Sequence, residues 1–443
     1  MTALLWSAAL PGGGRRPRLD PGAPVTDIVI DEIVVPSTLE PRPAADRDAD
    51  ADPDGDHADR PDHADRVAAY VEAIALENAV QTEVLGFGDL DFAPAEQLPQ
   101  WHDPFTPRRL FVVRAEGRIV GRATYETLAD PAVTTCWLWV AVAPEHRRRG
   151  LGTALLDHLE AVARAAGRTD AIAFVASGQG VASGQGVASG QDVASGQGVA
   201  SGQGATAGQG PTAGSAPTTA PADRLEASTG HGWVPRASSE VRFALSRGYA
   251  LGQVERISRL PLPVDEEALA AIRSEALAAA GDEYRVHTWS GPTPRLWQSD
   301  VAAMATALST DAPMGDVPEP EDVWTVERLV EAERRRATSG RASLTAAAEH
   351  VPTGRLVACS DLAVPDDASR PAMQQMTLVR REHRGHRLGW LVKVANLDRL
   401  AVEKPGRPAV LTFNAEENRP MLAVNEAVGF GPIGVEGVWH RLL

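Results

Sequence analysis

Hydrophobic and polar positions form two successive series of short segments, one in each half of the chain. In the first half, strand-like segments occupy residues 27–35, 109–113, 118–128, 136–142, 171–175 and 254–260, and helical spacing occupies 67–85, 151–166 and 241–245. In the second half, the strand-like segments are 284–289, 341–350, 355–364, 373–379, 409–413 and 435–442, and the helical segments are 294–308, 326–339, 390–402 and 418–428. The pattern predicts an α/β (α+β) fold in both halves.

Two stretches near the N-terminus depart from this pattern. Residues 1–25 are rich in Pro, Gly and Arg, and we expect a disordered tail there. Residues 41–66 carry aspartate at every second position over part of their length, which predicts a solvated acidic insert. The motif Asp50-x-Asp52-x-Asp54-Gly55 within it begins like a calcium-binding loop. However, the twelfth position, which needs a bidentate glutamate, is Pro61.

A hexapeptide array interrupts the first half after its fifth strand-like segment. Val-Ala-Ser-Gly-Gln-Gly and its variants repeat to about residue 204 and then give way to Ala, Thr, Gly and Pro. Each repeat offers only one Val and one Ala for burial, so we assign 176–230 to a flexible, low-complexity insert rather than to a β-helix. Because domain-like segments resume at residue 240, this insert lies within a domain. We place the domain boundary at Pro261-Leu262-Pro263, which gives domains 26–262 and 264–443.

One segment of the first domain carries the clearest chemical signal. An apolar strand-like run ends at Pro144, and a basic turn with two glycines, Gly150 and Gly152, leads from it into a helix. The N–H groups and the positive dipole at a helix N-terminus bind phosphate groups. Glycine lets an anion approach the backbone, and arginine side chains add bidentate donors. The segment predicts a phosphate- or pyrophosphate-binding turn; the alternative is a basic turn that only caps a helix.

The second domain contains a related turn. His383-Arg384-Gly385-His386-Arg387-Leu388-Gly389 corresponds to His146-Arg147-Arg148-Arg149-Gly150-Leu151-Gly152, and a valine precedes the first arginine of each by five residues. A helix and a buried strand follow in both domains, and each domain later has a helix that ends at Gly-aromatic. We therefore interpret the domains as two copies of one unit, the first copy and the second copy. Arg387 replaces the first glycine, where its side chain either crowds a pyrophosphate or binds it.

The motif Arg147-x-x-Gly150-x-Gly152 after a buried strand resembles the acetyl-CoA signature of the GNAT acetyltransferase superfamily. The arrangement of two copies is similar to tandem two-domain actinobacterial members such as mycothiol synthases. This resemblance implies tandem GNAT-like domains, each with a mixed, mostly antiparallel sheet flanked by helices. It also implies acetyl-CoA as co-substrate, with its pantetheine arm bound like an added strand between two splayed strands.

The resemblance further implies a set of cofactor-binding residues in the strand and turn of each copy. In the first copy these are Val140, Val142, Arg147, Arg148, Arg149, Gly150, Leu151, Gly152 and Thr153. In the second copy they are Thr377, Val379, Arg384, Gly385, His386, Arg387, Leu388, Gly389 and, beyond the fifth strand, Asn418. The first copy keeps the full motif, but the hexapeptide array interrupts this copy on the side where the acceptor would bind. The second copy has no such interruption but lacks the first glycine. We therefore expect one working and one degenerate copy.

The implied reaction is acetyl transfer to the primary amine of a small molecule. An alkylammonium keeps its proton up to a pH of ~10, so a base must remove it. Glu126 and Glu416 are the candidate catalytic bases, and a solvated surface carboxylate is the alternative for each. The tyrosine that often protonates the leaving thiolate in this family is replaced by Ala244 and Asn425. A thiol pKa of ~8.5 lets the thiolate leave without that tyrosine.

Composition narrows the choice of partners and location. The net charge of −16 argues against a nucleic-acid partner, and no apolar run approaches the ~18 residues of a membrane span. Both cysteines lie in apolar segments, as expected of buried thiols in the cytoplasm, and no histidine has a spaced metal partner. We therefore expect a cytoplasmic monomer or homodimer without a metal. The alternative function is a non-catalytic acyl-CoA-binding or scaffold protein built from two degenerate copies.

Overall fold

The structure is a computed structural model that describes residues 28–41, 62–177 and 223–443. The predicted N-terminal tail, most of the acidic insert and nearly all of the hexapeptide array lie outside these ranges. The strands of the first half are β1 (Ile30–Ile33), β2 (Arg108–Ala115), β3 (Arg118–Thr127), β4 (Thr135–Val142), β5 (Asp170–Ser177), β6 (Arg224–Glu226), β7 (Trp233–Pro235) and β8 (Ala250–Pro261). Its helices are α1 (His63–Leu85), α2 (Pro94–Trp101), α3 (Leu151–Ala165) and α4 (Ser239–Ser246).

The second half repeats this alternation of strands and helices. Its strands are β9 (Tyr284–Ser290), β10 (Arg341–His350), β11 (Arg355–Pro365), β12 (Ala372–Val379), β13 (Ala409–Ala415) and β14 (Gly431–Leu442). Its helices are α5 (Glu266–Ala280), α6 (Gln298–Asp311), α7 (Val326–Ala337), α8 (Leu388–Glu403) and α9 (Arg419–Val428).

Across the described ranges, twelve strands form one sheet in the order β1-β2-β3-β4-β5-β14-β8-β13-β12-β11-β10-β9. The β4–β5 and β12–β13 neighbours run parallel, and the other neighbouring strands of this sheet run antiparallel. The short strands β6 and β7 pair separately. The predicted mixed, mostly antiparallel sheet flanked by helices is confirmed.

The two halves exchange their last strands at the centre of this sheet. β8, which precedes the predicted boundary, pairs with β13 on one side and with β14 on the other. β14, the last strand of the chain, pairs with β5 of the first half. A site beside β5 therefore includes side chains from the C-terminal strand. The division of the chain into domains 26–262 and 264–443 stays a prediction.

Helices cover both faces of the sheet. α3 packs its apolar stripe, including the fully buried Leu155 and Leu159, against β3 and β4. Burying such a side chain stabilises the fold by about 1.5–3 kcal/mol. α8 packs in the same way on the second half, and we call this side the α3 face. α1 and α2, and on the second half α6 and α7, cover the opposite side, the α1 face.

Some element boundaries differ from the predicted ones. α1 begins at His63, inside the range assigned to the acidic insert, and the His63 ring lies 3.0 Å from the Glu40 carbonyl oxygen. β6 lies inside the range assigned to the low-complexity insert; it pairs with β7, and the guanidinium of Arg224 packs 4.5 Å from the Trp233 ring centre. α5 was not predicted, since its alanine-rich sequence lacks a clear apolar stripe. In the part of the chain described, no helix is long and apolar enough to cross a membrane.

Candidate functional site

The two basic turns share one backbone conformation. Pro144–His146 and Arg381–His383 each form a 3₁₀ turn ahead of the helix. α3 and α8 then follow an N-cap residue in the left-handed conformation, Gly150 at φ 87° and Arg387 at φ 55°. No described side chain caps either helix. The first-turn N–H groups, which have no partner within their helix, therefore point to a place where an anion can bind.

The first arginine of each turn fastens the turn to its own strand. Arg147 donates from Nε to the carbonyl oxygen of Val142 at 3.1 Å, and its Nη1 lies 3.0 Å from Glu83 on α1. Arg384 donates to the carbonyl five residues before it at the same distance and pairs with Asp311 on α6 at 2.9 Å. These contacts fix the turn against the α1 face. Phosphate binding by these two side chains stays a prediction.

The charge available for a ligand differs between the two turns. Arg148 is exposed and Arg149 is partly exposed, and neither guanidinium has an ion pair within the described residues. In the second copy, Arg387 pairs with Glu275 of α5 and lies 4.6 Å from the centre of the Trp390 ring. The first turn thus offers two unpaired cations to a phosphate group, whereas the guanidinium of Arg387 already has a carboxylate partner.

The remaining predicted turn residues have ordinary environments. Leu151 and Leu388 are buried in the core, and Thr153 is exposed. Gly385 has φ 90°, and the His386 ring lies 5.2 Å from the Tyr284 ring. A Cβ on Gly152 would lie 3.6 Å from the Phe243 ring, and one on Gly389 would lie 3.8 Å from Val379. Both helices therefore begin close to the strands beneath them.

The parallel strands of each copy separate soon after they begin to pair. β4 and β5 are paired at Thr135–Asp170, Cys136–Ala171 and Trp137–Ile172. β12 and β13 are paired at Ala372–Val410 and Met373–Leu411. Beyond these pairs, the facing strand edges do not bond to each other, so they can bind an extended ligand through backbone hydrogen bonds.

A cavity of about 390 Å³ lies where β4 and β5 separate and is lined by residues from both faces of the sheet; we call it the tunnel. Its wall on the α3 face is mostly apolar and includes Val140, Leu156, Phe243 and Ala244. Its wall on the α1 face includes Glu77, Gln81, Trp139, Phe174 and Glu436. The rings of Trp139 and Phe174 stack across the gap with centroids 6.1 Å apart. The wall is therefore mostly apolar on the α3 face and carries the carboxylates of Glu77 and Glu436 on the α1 face.

The comparisons with known proteins agree with this geometry. Residues 74–182, which hold β2 to β5 and the first basic turn, match the acetyltransferase (GNAT) family. The chain is similar to a tandem GNAT protein from the clavulanic acid biosynthesis pathway, with a TM-score of 0.59 and 25% identity over 85% of this chain and 95% of that one. The chain contains a GNAT acetyltransferase domain. Its architecture is that of a tandem GNAT protein.

A second solved structure shares the fold alone. It is a GCN5-related N-acetyltransferase from Sphaerobacter thermophilus, with a TM-score of 0.50 and 14% identity over 85% of this chain and 93% of that one. No curated protein matches the chain.

Polar side chains occupy the corresponding part of the second copy. Lys393, six residues after its N-cap, takes the place that Leu156 has in the tunnel wall. Lys393 is 2% exposed and donates to Gln374 Oε1 at 3.1 Å, and burial lowers the pKa of its ammonium group to about 7. Gln374 Nε2 donates in turn to the carbonyl oxygens of Asp361 and Met376, at the register shift between β11 and β12. The second copy therefore has a buried polar cluster where the first copy has an apolar wall residue.

The positions where the family often has a tyrosine also differ. Ala244 leaves the first tunnel open, whereas Asn425 is 1% exposed and donates to Asn414 Oδ1 at 2.6 Å. Asn418 caps α9 by accepting a bond from the N–H three residues on. The Thr377 hydroxyl is buried without a hydrogen-bond partner in the ranges described. Cofactor binding by Asn418 and Thr377 stays a prediction.

Arginine side chains hold both predicted catalytic carboxylates. Glu126 Oε2 lies 2.6 Å from Arg108 Nε, and burial raises the pKa of Glu126 in spite of this arginine. Glu416 forms a bidentate pair with Arg256, with both distances 2.8 Å. Neither carboxylate lines the tunnel. Their catalytic roles stay predictions.

Glu126 instead faces a larger cavity on the α1 face. This cavity has a volume of about 580 Å³ and lies between the two copies, with Glu126 and Trp137 on one side and Asp361 and Met376 on the other. Asp361 is 8% exposed and accepts a bond from Arg336 at 2.9 Å. The α1 faces of the two copies therefore line one cavity.

The sequence pattern did not single out the carboxylate at the α1 end of the tunnel. Glu436 on β14 lies opposite Ala176 of β5 and Glu255 of β8. Neither glutamate has a hydrogen bond or an ion pair among the described residues. Burial raises the pKa of Glu436 to about 8, with repulsion by Glu255 adding to it, and burial raises that of Glu255 to about 7. Alternation along 435–442 shows that Glu436 shares a face with Val438, but it cannot show which strand lies beside them.

Proposed function

We propose that the protein is an acetyl-CoA-dependent N-acetyltransferase that acetylates the primary amine of a small molecule, and that the first GNAT copy is its working site. The tunnel is the observation that carries this proposal. It lies where β4 and β5 separate, and Phe243 in its wall packs close to Gly152 at the basic turn. A bound thioester supplies the activated acetyl group for the transfer.

The residues of the first copy fit such a co-substrate along its whole length. The uncapped N–H groups of α3 and the side chains of Arg148 and Arg149 would hold the pyrophosphate. The separated edges of β4 and β5 would pair with the amides of the pantetheine arm. The apolar wall, with Val140 and Phe243, would exclude water from the thioester.

An amine acceptor is consistent with the charge of the protein. The net charge of −16 favours a cationic small molecule over a nucleic acid. The acceptor would enter from the α1 face, where the tunnel wall carries Glu77 and Glu436. The second copy, with Lys393 and Gln374 in the corresponding place, would be degenerate and would complete the sheet of the first. A cytoplasmic location and a monomeric or homodimeric state remain part of the proposal.

Incubation of the full chain with acetyl-CoA and a panel of small primary amines tests this proposal. We expect free thiol and acetylated amine in equal amounts, measured with a thiol reagent and by mass spectrometry. Reactions without amine measure the background hydrolysis of the thioester.

The second candidate is a non-catalytic acyl-CoA-binding protein, which Ala244 and Asn425 favour because they replace the family's usual tyrosine. Calorimetric binding of acetyl-CoA without thiol release from any amine would support it. If acetyl-CoA does not bind at all, both candidates are wrong.

A further inference from the structure

We propose that Glu436 binds the ammonium group of the acceptor and takes its proton, so that the last strand of the second copy completes the catalytic site of the first. This inference rests on the proposed function, which it deepens by naming the base. Among the described residues, Glu436 is the only residue of the second half that lines the tunnel.

Strand exchange is what brings this side chain to the tunnel. Because β14 inserts between β5 and β8, Glu436 lies opposite Ala176, at the end of β5 that has separated from β4. Ala176, Phe174 and Trp139 line the same cavity. An amine entering from the α1 face would therefore meet Glu436 in the same cavity as the stacked aromatic rings.

The charges around Glu436 leave it free to bind a cation. Glu77 on α1 and Arg122 on β3 also line the tunnel, but they pair with each other, and Arg122 donates in addition to Thr124 at 2.9 Å. Glu240 on α4 lies in the wall nearer the α3 face and accepts from the neighbouring serine hydroxyl. Glu255 faces Glu436 from β8 and adds negative charge. A cationic amine would relieve this repulsion, since an opposite charge favours the ionised carboxylate.

The reaction balances with Glu436 as the base. The carboxylate takes one proton from the ammonium group, and the freed nitrogen lone pair bonds to the thioester carbonyl carbon. The carbon–sulfur bond then breaks, and the sulfur leaves with the electron pair. The sulfur takes the second proton from the new amide nitrogen, which gives a thiol and an N-acetyl product. Glu436 returns its proton to water.

The acid strength of Glu436 suits this role. A general base works best when its pKa lies near the operating pH, and burial raises the pKa of Glu436 to about 8. The base must be deprotonated to act, so transfer should accelerate as pH rises through about 8. Glu255 interacts with Glu436 and titrates in the same pH range. The increase of the transfer rate with pH therefore reports the titration of the two carboxyl groups together.

Two nearly isosteric amines separate base catalysis from simple binding. Ethylamine is protonated at neutral pH and needs a base, whereas 2,2,2-trifluoroethylamine is already neutral. In Glu436→Gln we expect transfer to ethylamine to fall by about 100-fold or more, as for loss of a general base, with loss of the rising pH limb. Transfer to trifluoroethylamine should fall by less than about tenfold. In Glu255→Gln the rise of the transfer rate should occur at a lower pH than in the wild-type chain, since the variant removes the repulsion between Glu255 and Glu436.

A control variant and a binding measurement separate loss of the base from loss of the fold. Glu349→Gln changes a strand glutamate that pairs with His287 far along the sheet, and it should leave both rates unchanged. Calorimetry should show that Glu436→Gln still binds acetyl-CoA, which establishes an intact fold. If the wild-type chain is active and Glu436→Gln has the same rate and the same pH dependence, the role proposed for Glu436 is wrong, whereas the proposed function stands. An equal loss with both amines would also overturn the role of Glu436. No transfer by the wild-type chain to any amine of the panel would overturn the proposed function and this role together.

Discussion

Glutamate in place of Gly150 should weaken acetyl-CoA binding by about 10- to 100-fold and reduce thiol release to the same extent. Two effects act together: the new carboxylate repels the pyrophosphate, and it competes for the N–H groups that would bind it. Charge-assisted hydrogen bonds of this kind contribute about 1.5–3 kcal/mol each, and about 1.4 kcal/mol corresponds to tenfold in affinity. Calorimetry with acetyl-CoA and a thiol-release assay measure the two quantities.

The second copy supplies a matched control for this substitution. Gly385→Glu makes the same charge change at another left-handed glycine of a basic turn, and at both glycines a Cβ would meet nothing within 4 Å. Arg387 occupies the left-handed region at the position equivalent to Gly150, and because Gly150 and Gly385 have nearly the same φ, 87° and 90°, both variants carry a similar backbone strain. We expect the Gly385 variant to retain wild-type affinity and activity. Loss in the Gly385 variant alone would place the working site in the second copy.

Methionine in place of Lys393 should stabilise the protein by about 4 kcal/mol at pH 6. The shift of the Lys393 pKa from 10.5 to about 7 corresponds to a penalty on the order of 5 kcal/mol for the buried charge. Loss of the bond to Gln374 offsets about 1 kcal/mol of the gain. Methionine has a similar length and no charge, so it fits the same space. Denaturant unfolding of the full chain measures the difference.

The pH dependence of this gain has a definite sign. Between pH 7 and pH 10.5 the folded state holds fewer protons on Lys393 than the unfolded state, so the wild-type protein gains stability as pH rises there. The advantage of the methionine variant is therefore complete below pH 7 and shrinks toward pH 10. Lys404 is the other lysine of the chain and is partly exposed, so Lys404→Met should change stability by less than about 0.5 kcal/mol. A gain in Lys393→Met that does not depend on pH would contradict the assignment.

Local pattern was sufficient to predict most of the elements that build the site. The strand that became β4 and the helix that became α3 followed from one apolar run, Pro144 and the glycines of the turn. The second turn followed from the repeated spacing, although Arg387 stands where a glycine was expected. The backbone is nevertheless the same in both, because the left-handed N-cap tolerates Arg387 at φ 55°. These features depend on residues close together in sequence, which is why they could be predicted.

Features that depend on distant residues could not be predicted. The exchange of β8 and β14 follows from pairing across the whole chain, and alternation in 435–442 is compatible with any neighbouring strand. Glu436 was therefore missed, whereas Glu126 was chosen from alternation alone and lies beside Arg108 in the cavity between the copies. Similarly, Lys393 is one of several polar positions of its helix in the sequence. Only its burial and its hydrogen bond to Gln374 show that it lies inside the second copy, at the position equivalent to Leu156.

A crystal structure of the full chain with coenzyme A is the most direct test of the first copy as the working site. We predict one molecule per chain, with its pantetheine arm between β4 and β5 and its pyrophosphate at the N–H groups of Leu151 and Gly152. Its thiol should point through the tunnel toward the α1 face. A pantetheine arm between β12 and β13, with no coenzyme A in the tunnel, would contradict this assignment.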